Sequence, residues 1–556
     1  MSMDRRTFIR SGVAAGGLLS VSGYGCNPAD PSPIPADTSF AAHVGPFDLD
    51  ETTISQLQER IASGELTCRA IAEMYLERID ALNTNGPRLH AVLETNPDAL
   101  RIADELDQEL RGGGPRGPLH GIPILLKDNI DTADRMTTTA GSTALRGSIP
   151  LQDSFVARKL REAGAVLLGK ANMSEWAGWK SFERGTPGWS GRGWDGGRGG
   201  FCRNPYALNR VPGGSSAGSG VGAAANLATA TIGSETDGSI VGPSSRNCLV
   251  GIKPTIGLVS RGGVIPISHS QDSTGPMARS VADAAIILGA LTGIDPRDPL
   301  TTPSQGNALT DYTQALDPDG LNGARIGVAR DYAGFDDRVD VLLADALDVM
   351  KQQGATIVDP IVLPAQLRFG NEYEMEVLYY EFKADLNAYL ASLGPDAPVH
   401  SLEEVIEHNE ANADLELSLF GQELLAGSQE RGPLTESRYI EALGHSHRLS
   451  RREGIDRVME AERLDAIVGP TSGPAGLLDP LGGSTGSGGG CSTPSAMAGY
   501  PNMTLPMGFI FGLPVGISLF GRAWSESTLI RLAYGYEQAT RHRRPPKFLA
   551  TIDVTA

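Results

Sequence analysis

Gly121-Ile122-Pro123-Ile124-Leu125-Leu126-Lys127-Asp128-Asn129 is an apolar, β-prone run that ends on a lysine. Such a run carries the Lys127 ammonium into a protein interior, where burial disfavours the charged form. Further along, Gly213-Gly214-Ser215-Ser216-Ala217-Gly218-Ser219 leads into an alanine-rich stretch over residues 221–230 and reads as a turn opening a helix. Gly233-Ser234-Glu235-Thr236-Asp237-Gly238-Ser239-Ile240 follows, and its glycines and small polar residues let the backbone curl its N–H groups toward one point. Residues 119–280, which hold all three segments, alternate short β-branched runs with helical patterns. A second alternation starts at Ile326-Gly327-Val328-Ala329, continues through an amphipathic stretch over 339–353 and returns to a strand pattern at 356–358. The expected fold class is therefore α/β, one extended unit over 46–556 with its motif core at 119–280 and a long helical insertion at 366–464.

The whole chain has 556 residues, 40% of them hydrophobic and 20% charged, which suffices for a large core and excludes disorder by composition. A net charge of −19 repels phosphate backbones and anionic lipid faces, so no nucleic-acid partner is expected. Asp4-Arg5-Arg6-Thr7-Phe8-Ile9-Arg10 is a twin-arginine pattern, and the mildly apolar stretch after it is too short and glycine-rich to span a membrane. Residues 1–26 are accordingly expected to be an export signal and 27–45 a tether, which places the protein in the periplasm or outside the cell. Cys26 is a candidate lipid-attached first residue, although Gly23 stands where an aliphatic residue is expected. The other cysteines are Cys68, Cys202, Cys248 and Cys491, an even number open both to bridging and to packing as small free hydrophobes.

The spacing of the lysine segment, the double-serine loop and the Gly-Ser-Ile segment resembles the amidase signature family of serine hydrolases. The resemblance extends to Gly164-Ala-Val-Leu-Leu-Gly-Lys-Ala-Asn-Met-Ser-Glu175, to Asp272-Ser-Thr-Gly-Pro-Met-Ala-Arg279 and to Gly512-Leu-Pro-Val-Gly-Ile-Ser-Leu-Phe-Gly521. It implies a large mixed β-sheet covered by helices on both faces, and cleavage of amide bonds through an acyl-enzyme. It also implies roles for individual residues. Ser239 is the nucleophile, Ser215 follows a cis peptide bond and relays the proton, and Lys127 accepts it. Ser216 and Ser234 support the lysine, and the backbone N–H groups of Thr236, Asp237, Gly238 and Ser239 hold the oxyanion. Two positions depart from the commoner family pattern: Glu235 stands in place of an aspartate and Asp237 in place of a glycine. The stretch 235–241 is most similar to that of bacterial peptide amidases, which makes a peptide carboxamide the expected substrate. Aryl-acylamides, amide oligomers and fatty acid amides are the alternatives, and no cofactor or metal is expected.

Trp176, Trp179, Trp189 and Trp194 are candidates for an apolar pocket wall, the last two from a glycine-rich loop at 185–200 just before the serine loop. A second glycine-rich loop at 482–490 reads as a connection. Other readings are weaker. Gly164 to Lys170 has the phosphate-loop spacing, but Ala171 replaces the hydroxyl residue that holds magnesium. Gly214-Ser-Ser216-Ala-Gly218 fits a nucleophile elbow with Ser216 as nucleophile, yet the turn-rich Asn204-Pro-Tyr-Ala-Leu-Asn-Arg-Val-Pro212 is no preceding strand. His120, His269, His445 and His447 have no cysteine or carboxylate at metal-ligand spacing and read as structural or solvated. A transamidating component of a tRNA-dependent amidotransferase shares the motifs but fits neither the export signal nor the acidity. A non-catalytic binding protein fits poorly with three intact reactive positions.

Overall fold

Every residue of the strand Pro123–Lys127 is buried, as are all those of Val166–Ala171 and Ala230–Glu235. Such strands need cover on both faces, the condition of a sheet sandwiched between layers of helix. The computed structural model describes residues 45–182, 188–191, 200–480, 482–483, 488–552 and 554. In chain order the strands are β1 (Val92–Thr95), β2 (Pro123–Lys127), β3 (Val166–Ala171), β4 (Trp189–Ser190), β5 (Gly200–Phe201), β6 (Ala230–Glu235), β7 (Val250–Lys253), β8 (Ser273–Ala278), β9 (Arg325–Val328), β10 (Thr356–Val358), β11 (Ala466–Pro470), β12 (Asn502–Ile510) and β13 (Leu513–Phe520). Eleven of them form one sheet in the order β1-β3-β2-β6-β8-β7-β12-β13-β11-β9-β10, with β4 and β5 paired apart. The sheet is mixed. β2 runs parallel to both β3 and β6, whereas β6–β8, β7–β8 and β12–β13 are antiparallel.

The helix that follows the double serine, Ala217–Ala224, is buried along its whole length. Its small residues are required by close backbone approach, since a Cβ on Gly218 would collide with the carbonyl of Ala91 and the amide of Asn172. The helix thereby sits against β2 and β6, and the turn before it is held at the ends of those strands. Between β10 and β11 the chain is helical, with Glu372–Ser392, Leu402–Ala411, Glu423–Gln429, Ser437–His447 and Asp456–Glu462. Leu378, Phe382, Leu386 and Leu390 of the first of these pack with Trp176, Trp179 and Ile267 into a second hydrophobic cluster, separate from the main core. Cys68, Cys202, Cys248 and Cys491 are all free and buried. The expectations for residues 1–44, including the twin-arginine pattern and Cys26, lie outside the described residues.

Candidate active site

Parallel strands β2 and β6 end side by side, and a crevice beyond their carboxyl ends is where open α/β sheets bind ligands. Lys127 is the last residue of β2 and is fully buried. Its Nζ lies 2.7 Å from Ser215 Oγ, 2.9 Å from Ser234 Oγ and 3.0 Å from the Ser234 carbonyl. Asp128, next in sequence, turns elsewhere and accepts from Thr139 Oγ1 and from the Gly141 amide. Burial pulls the Lys127 ammonium down to about 7, against partial support from the charges of Asp272 and Glu235. A neutral amine has two N–H donors and one lone pair. The two oxygens of Ser234 can take both hydrogens, which leaves the lone pair to the Ser215 hydroxyl.

Ser234 itself is held by Asn129, whose Nδ2 donates to its Oγ at 2.9 Å. Ser216 does not touch the lysine. Its Oγ donates to the Ser234 carbonyl at 3.1 Å and accepts from the Ser234 amide at 3.3 Å, so it acts on the lysine only through Ser234. The Gly214–Ser215 peptide bond is cis, and the Ser216 amide donates to the Ser239 carbonyl at 3.2 Å, joining the two serine loops.

The loop from Thr236 to Ser239 leaves β6 with no internal acceptor for its four amides among the described residues. Three side chains shape it. Glu235 reaches forward so that its Oε2 accepts from the amides of Ile240 and Val241 at 2.6 and 2.9 Å, spanning the loop beneath Ser239. Thr236 Oγ1 donates to Asp272 at 2.5 Å, and the other Asp272 oxygen accepts from the amides of Ile267 and Ser268. Burial pushes the Asp272 carboxyl up to about 6. Asp237, at the position where the family has glycine, turns its Oδ2 to Thr493 Oγ1 at 2.7 Å, and its side chain is thereby engaged away from the loop amides. Burial and the neighbouring Asp237 charge raise Glu374 well above the usual carboxylate range, so that it stays protonated beside Asp237.

Ser215, Thr236, Asp237 and Ser239 line a cavity of about 310 Å³ whose other walls are largely apolar, with five aromatic side chains among them. Trp179 and Trp189 are part of it; Trp176 is buried among core residues and is not on the cavity wall. Trp194 lies outside the described residues. Sequence reasoning missed the remaining apolar wall, Phe182, Ile267, Phe369, Leu378 and Phe420, because it is assembled from separate segments, three of its residues coming from the helical insertion. At one end Lys180 Nζ meets Glu175 at 3.0 Å and Glu416 at 2.8 Å, all three buried. Burial and the Glu416 charge raise Glu175 well above its usual range, whereas Lys180 holds Glu416 low in spite of its burial. This group is thus neutral overall, one ion pair with a protonated acid beside it.

His269 is brought to Asp385 and Glu381, with ring nitrogens 2.9 and 3.3 Å from their carboxylates. These are the described residues whose ligand atoms come close enough together to hold a metal ion. Both ring nitrogens already face carboxylates, which suits an imidazolium better than a metal-bound imidazole. His120, by contrast, is buried with Nε2 3.1 Å from the Leu106 carbonyl, a structural role.

A family model described as Amidase matches residues 70–530. The chain is 49% identical to the native peptide amidase from Stenotrophomonas maltophilia, whose X-ray structure superposes with a TM-score of 0.84 over 90% of this chain and 100% of that one. It is 41% identical to an Arabidopsis thaliana protein described as a "probable amidase", over 91% of this chain and 93% of the relative. It is also 34% identical to a glutamyl-tRNA(Gln) amidotransferase component of a Roseiflexus species, over 90% and 98% of the two chains.

Proposed function

From the premise that this chain belongs to the amidase family and is an amide-hydrolysing enzyme, we propose that it cleaves through a Lys127–Ser215–Ser239 relay and that its substrate is the C-terminal carboxamide of a peptide. The observation that carries the relay is the fully buried Lys127, whose Nζ lies 2.7 Å from Ser215 Oγ and within 3.0 Å of both Ser234 oxygens. Ser239 Oγ attacks the carbonyl carbon while Ser215 takes its proton and hands its own to Lys127. The carbonyl oxygen becomes the oxyanion, facing the amides of residues 236–239. Preorganised donors of this kind contribute about 2.7 to 4 kcal/mol each to the transition state. The intermediate collapses as the proton returns through Ser215 to the leaving nitrogen, ammonia departs, and an ester to Ser239 remains. Water then repeats the sequence, with the proton passing along the same path, and the acid is released.

The substrate reading rests on two supports. The peptide amidase of S. maltophilia is a solved relative at 49% identity, and the apolar, partly aromatic cavity beside Ser239 suits the side chains at the end of a peptide. The similarity to an amidotransferase component supports the amide chemistry equally, but the net charge of −19 disfavours work on tRNA. The test is a panel of peptide amides, aryl-acylamides and fatty acid amides, with ammonia and amine release measured separately and hydroxylamine added to trap the ester. Ammonia from peptide amides, with a hydroxamate formed in place of the acid when hydroxylamine is present, is the expected result. Turnover confined to the other classes overturns the peptide-amide reading and leaves the family assignment intact.

A further inference from the structure

A second cavity, of about 500 Å³, shares Gly214, Asp237 and Phe369 with the aromatic one. Ammonia needs only a small part of such a space. The walls here are polar and cationic rather than aromatic, with Arg246, Arg368, Ser472 and Thr493 among them. Arg246 is tied to the nucleophile, because the helix Val241–Arg246 starts two residues after Ser239 and ends on it. Its stem runs beneath the serine loop. Gly213 has φ +79°, and a Cβ there would stand 3.3 Å from Arg246 Cδ and 3.0 Å from Pro243 Cα, so only glycine leaves room for the arginine beside the Gly214–Ser215 bond.

Among the described residues the Arg246 guanidinium makes no ion pair, and its Nε is sealed from water with no hydrogen-bond partner. Burial holds it below the ordinary arginine range, with no carboxylate opposing that effect. The other arginine is differently placed. Arg368 donates to the Asp331 carbonyl at 2.6 Å and lies over the Tyr332 ring. Asp237, the carboxylate in the same wall, accepts from Thr493 through Oδ2, while its Oδ1 is buried with no hydrogen-bond partner among the described residues. A guanidinium half-buried in such a wall, with its Nε unpartnered and no carboxylate paired to it among the described residues, gains from one, and its planar fork matches a carboxylate with two parallel hydrogen bonds.

We propose that this cavity receives the amine side of a larger substrate and that Arg246 binds a carboxylate there, which makes N-acyl amino acids with an aromatic acyl group a second substrate class. The C–N bond breaks as for a carboxamide. The relay returns its proton to the nitrogen, a free amino acid leaves in place of ammonia, and water releases the acyl group from Ser239. This rests on the reading of Ser239 as nucleophile.

The test is calorimetric binding to full-length Ser239→Ala protein, which does not turn over, of N-acetyl-phenylalanyl-glycine and of its methyl ester. The free acid is expected to bind about tenfold tighter than the ester. Adding Arg246→Gln is expected to erase that preference and Arg246→Lys to reduce it, with thermal unfolding recorded for each protein. Should the glutamine variant not fold, the lysine variant carries the comparison. Glycine release from the free acid by the parent enzyme completes the expected pattern. Equal binding of acid and ester, a preference unchanged in the Arg246 variants, or one abolished only by Arg368→Gln overturns the proposal. Ammonia release from N-acetyl-phenylalaninamide is measured alongside, so failure of the peptide-amide reading is seen separately from failure of the carboxylate site.

Discussion

Replacing Lys127 by methionine should abolish amide turnover and at the same time relieve the folded protein of a penalty, and that second effect can be worked from the structure. The folded ammonium sits at about 7 against an ordinary 10.5. The unfolded chain therefore binds the proton more readily, and stability at this site rises with pH across that interval. The penalty is fully present below about 7 and fades as pH approaches 10.5. At about 1.36 kcal/mol per pKa unit, it is about 5 kcal/mol at pH 6.5 and about 1.5 kcal/mol at pH 9.5. Methionine lacks the charge and so lacks this dependence. The hydrogen bonds lost to Ser215 and Ser234 are lost at both pH values and cancel in the comparison. Ser234 also keeps partners, since its carbonyl still accepts from Ser216 and its hydroxyl from Asn129. Unfolding entropy of about 2.1 cal/mol/K per residue makes about 1 kcal/mol equal to about 1 °C in a domain of this size. Going from pH 9.5 to pH 6.5, the unfolding midpoint of Lys127→Met should gain about 3 °C on that of the parent, measured by scanning calorimetry at one scan rate. A midpoint difference that does not change with pH would refute a neutralised lysine.

Two further outcomes follow from the same geometry, and a third from the sequence. The parent kcat/KM should rise with pH through an apparent pKa near 7 as Lys127 loses its proton. Asp272→Asn, by removing a charge that supports the ammonium, should move that limb to lower pH; a pH–rate profile of both proteins checks the direction. His269 is raised above its usual value, its burial being outweighed by the hydrogen bond to Asp385 and the charge of Glu381. Its contribution to stability is thus whole below about 6.5 and is lost as pH rises through the higher folded value, so thermal midpoints of His269→Gln and parent should converge between pH 6 and 9. The Arg5-Arg6 pattern leads to the expectation that changing both residues to lysine retains folded enzyme in the cytoplasm, and that exported parent begins near residues 26–40 by mass spectrometry.

The parts of the site that could be read in the sequence are those that local geometry dictates. Lys127 closes an apolar run, and Ser215 and Ser239 sit in glycine-rich turns, so these local motifs carried the resemblance to the amidase signature family, and that resemblance in turn implied the amide chemistry and the mixed sheet. What surrounds them depends on contacts between distant segments. Asp272 holds Thr236 from 36 residues away, and Glu416 completes a buried group with Lys180 from 236 residues away. The tryptophans show the same limit. Trp179 and Trp189 reach the cavity while Trp176 turns into the core from a left-handed backbone conformation, an outcome of packing against the helical insertion. Arg246 lies outside every motif read in the sequence, and only the shape of the serine loop beside it sets it apart. Glu235 stood out in sequence as a departure from a family pattern. The structure gives it a task, because the longer side chain spans the nucleophile loop to the amides of Ile240 and Val241.

Covalent labelling decides whether Ser239 carries the acyl group. The full-length protein is treated with a fluorophosphonate, digested, and the modified residue located by mass spectrometry. One adduct is expected, on Ser239, absent from Ser239→Ala and strongly slowed in Ser215→Ala and Lys127→Met. An adduct on Ser216, or labelling that persists in Ser239→Ala, would contradict it.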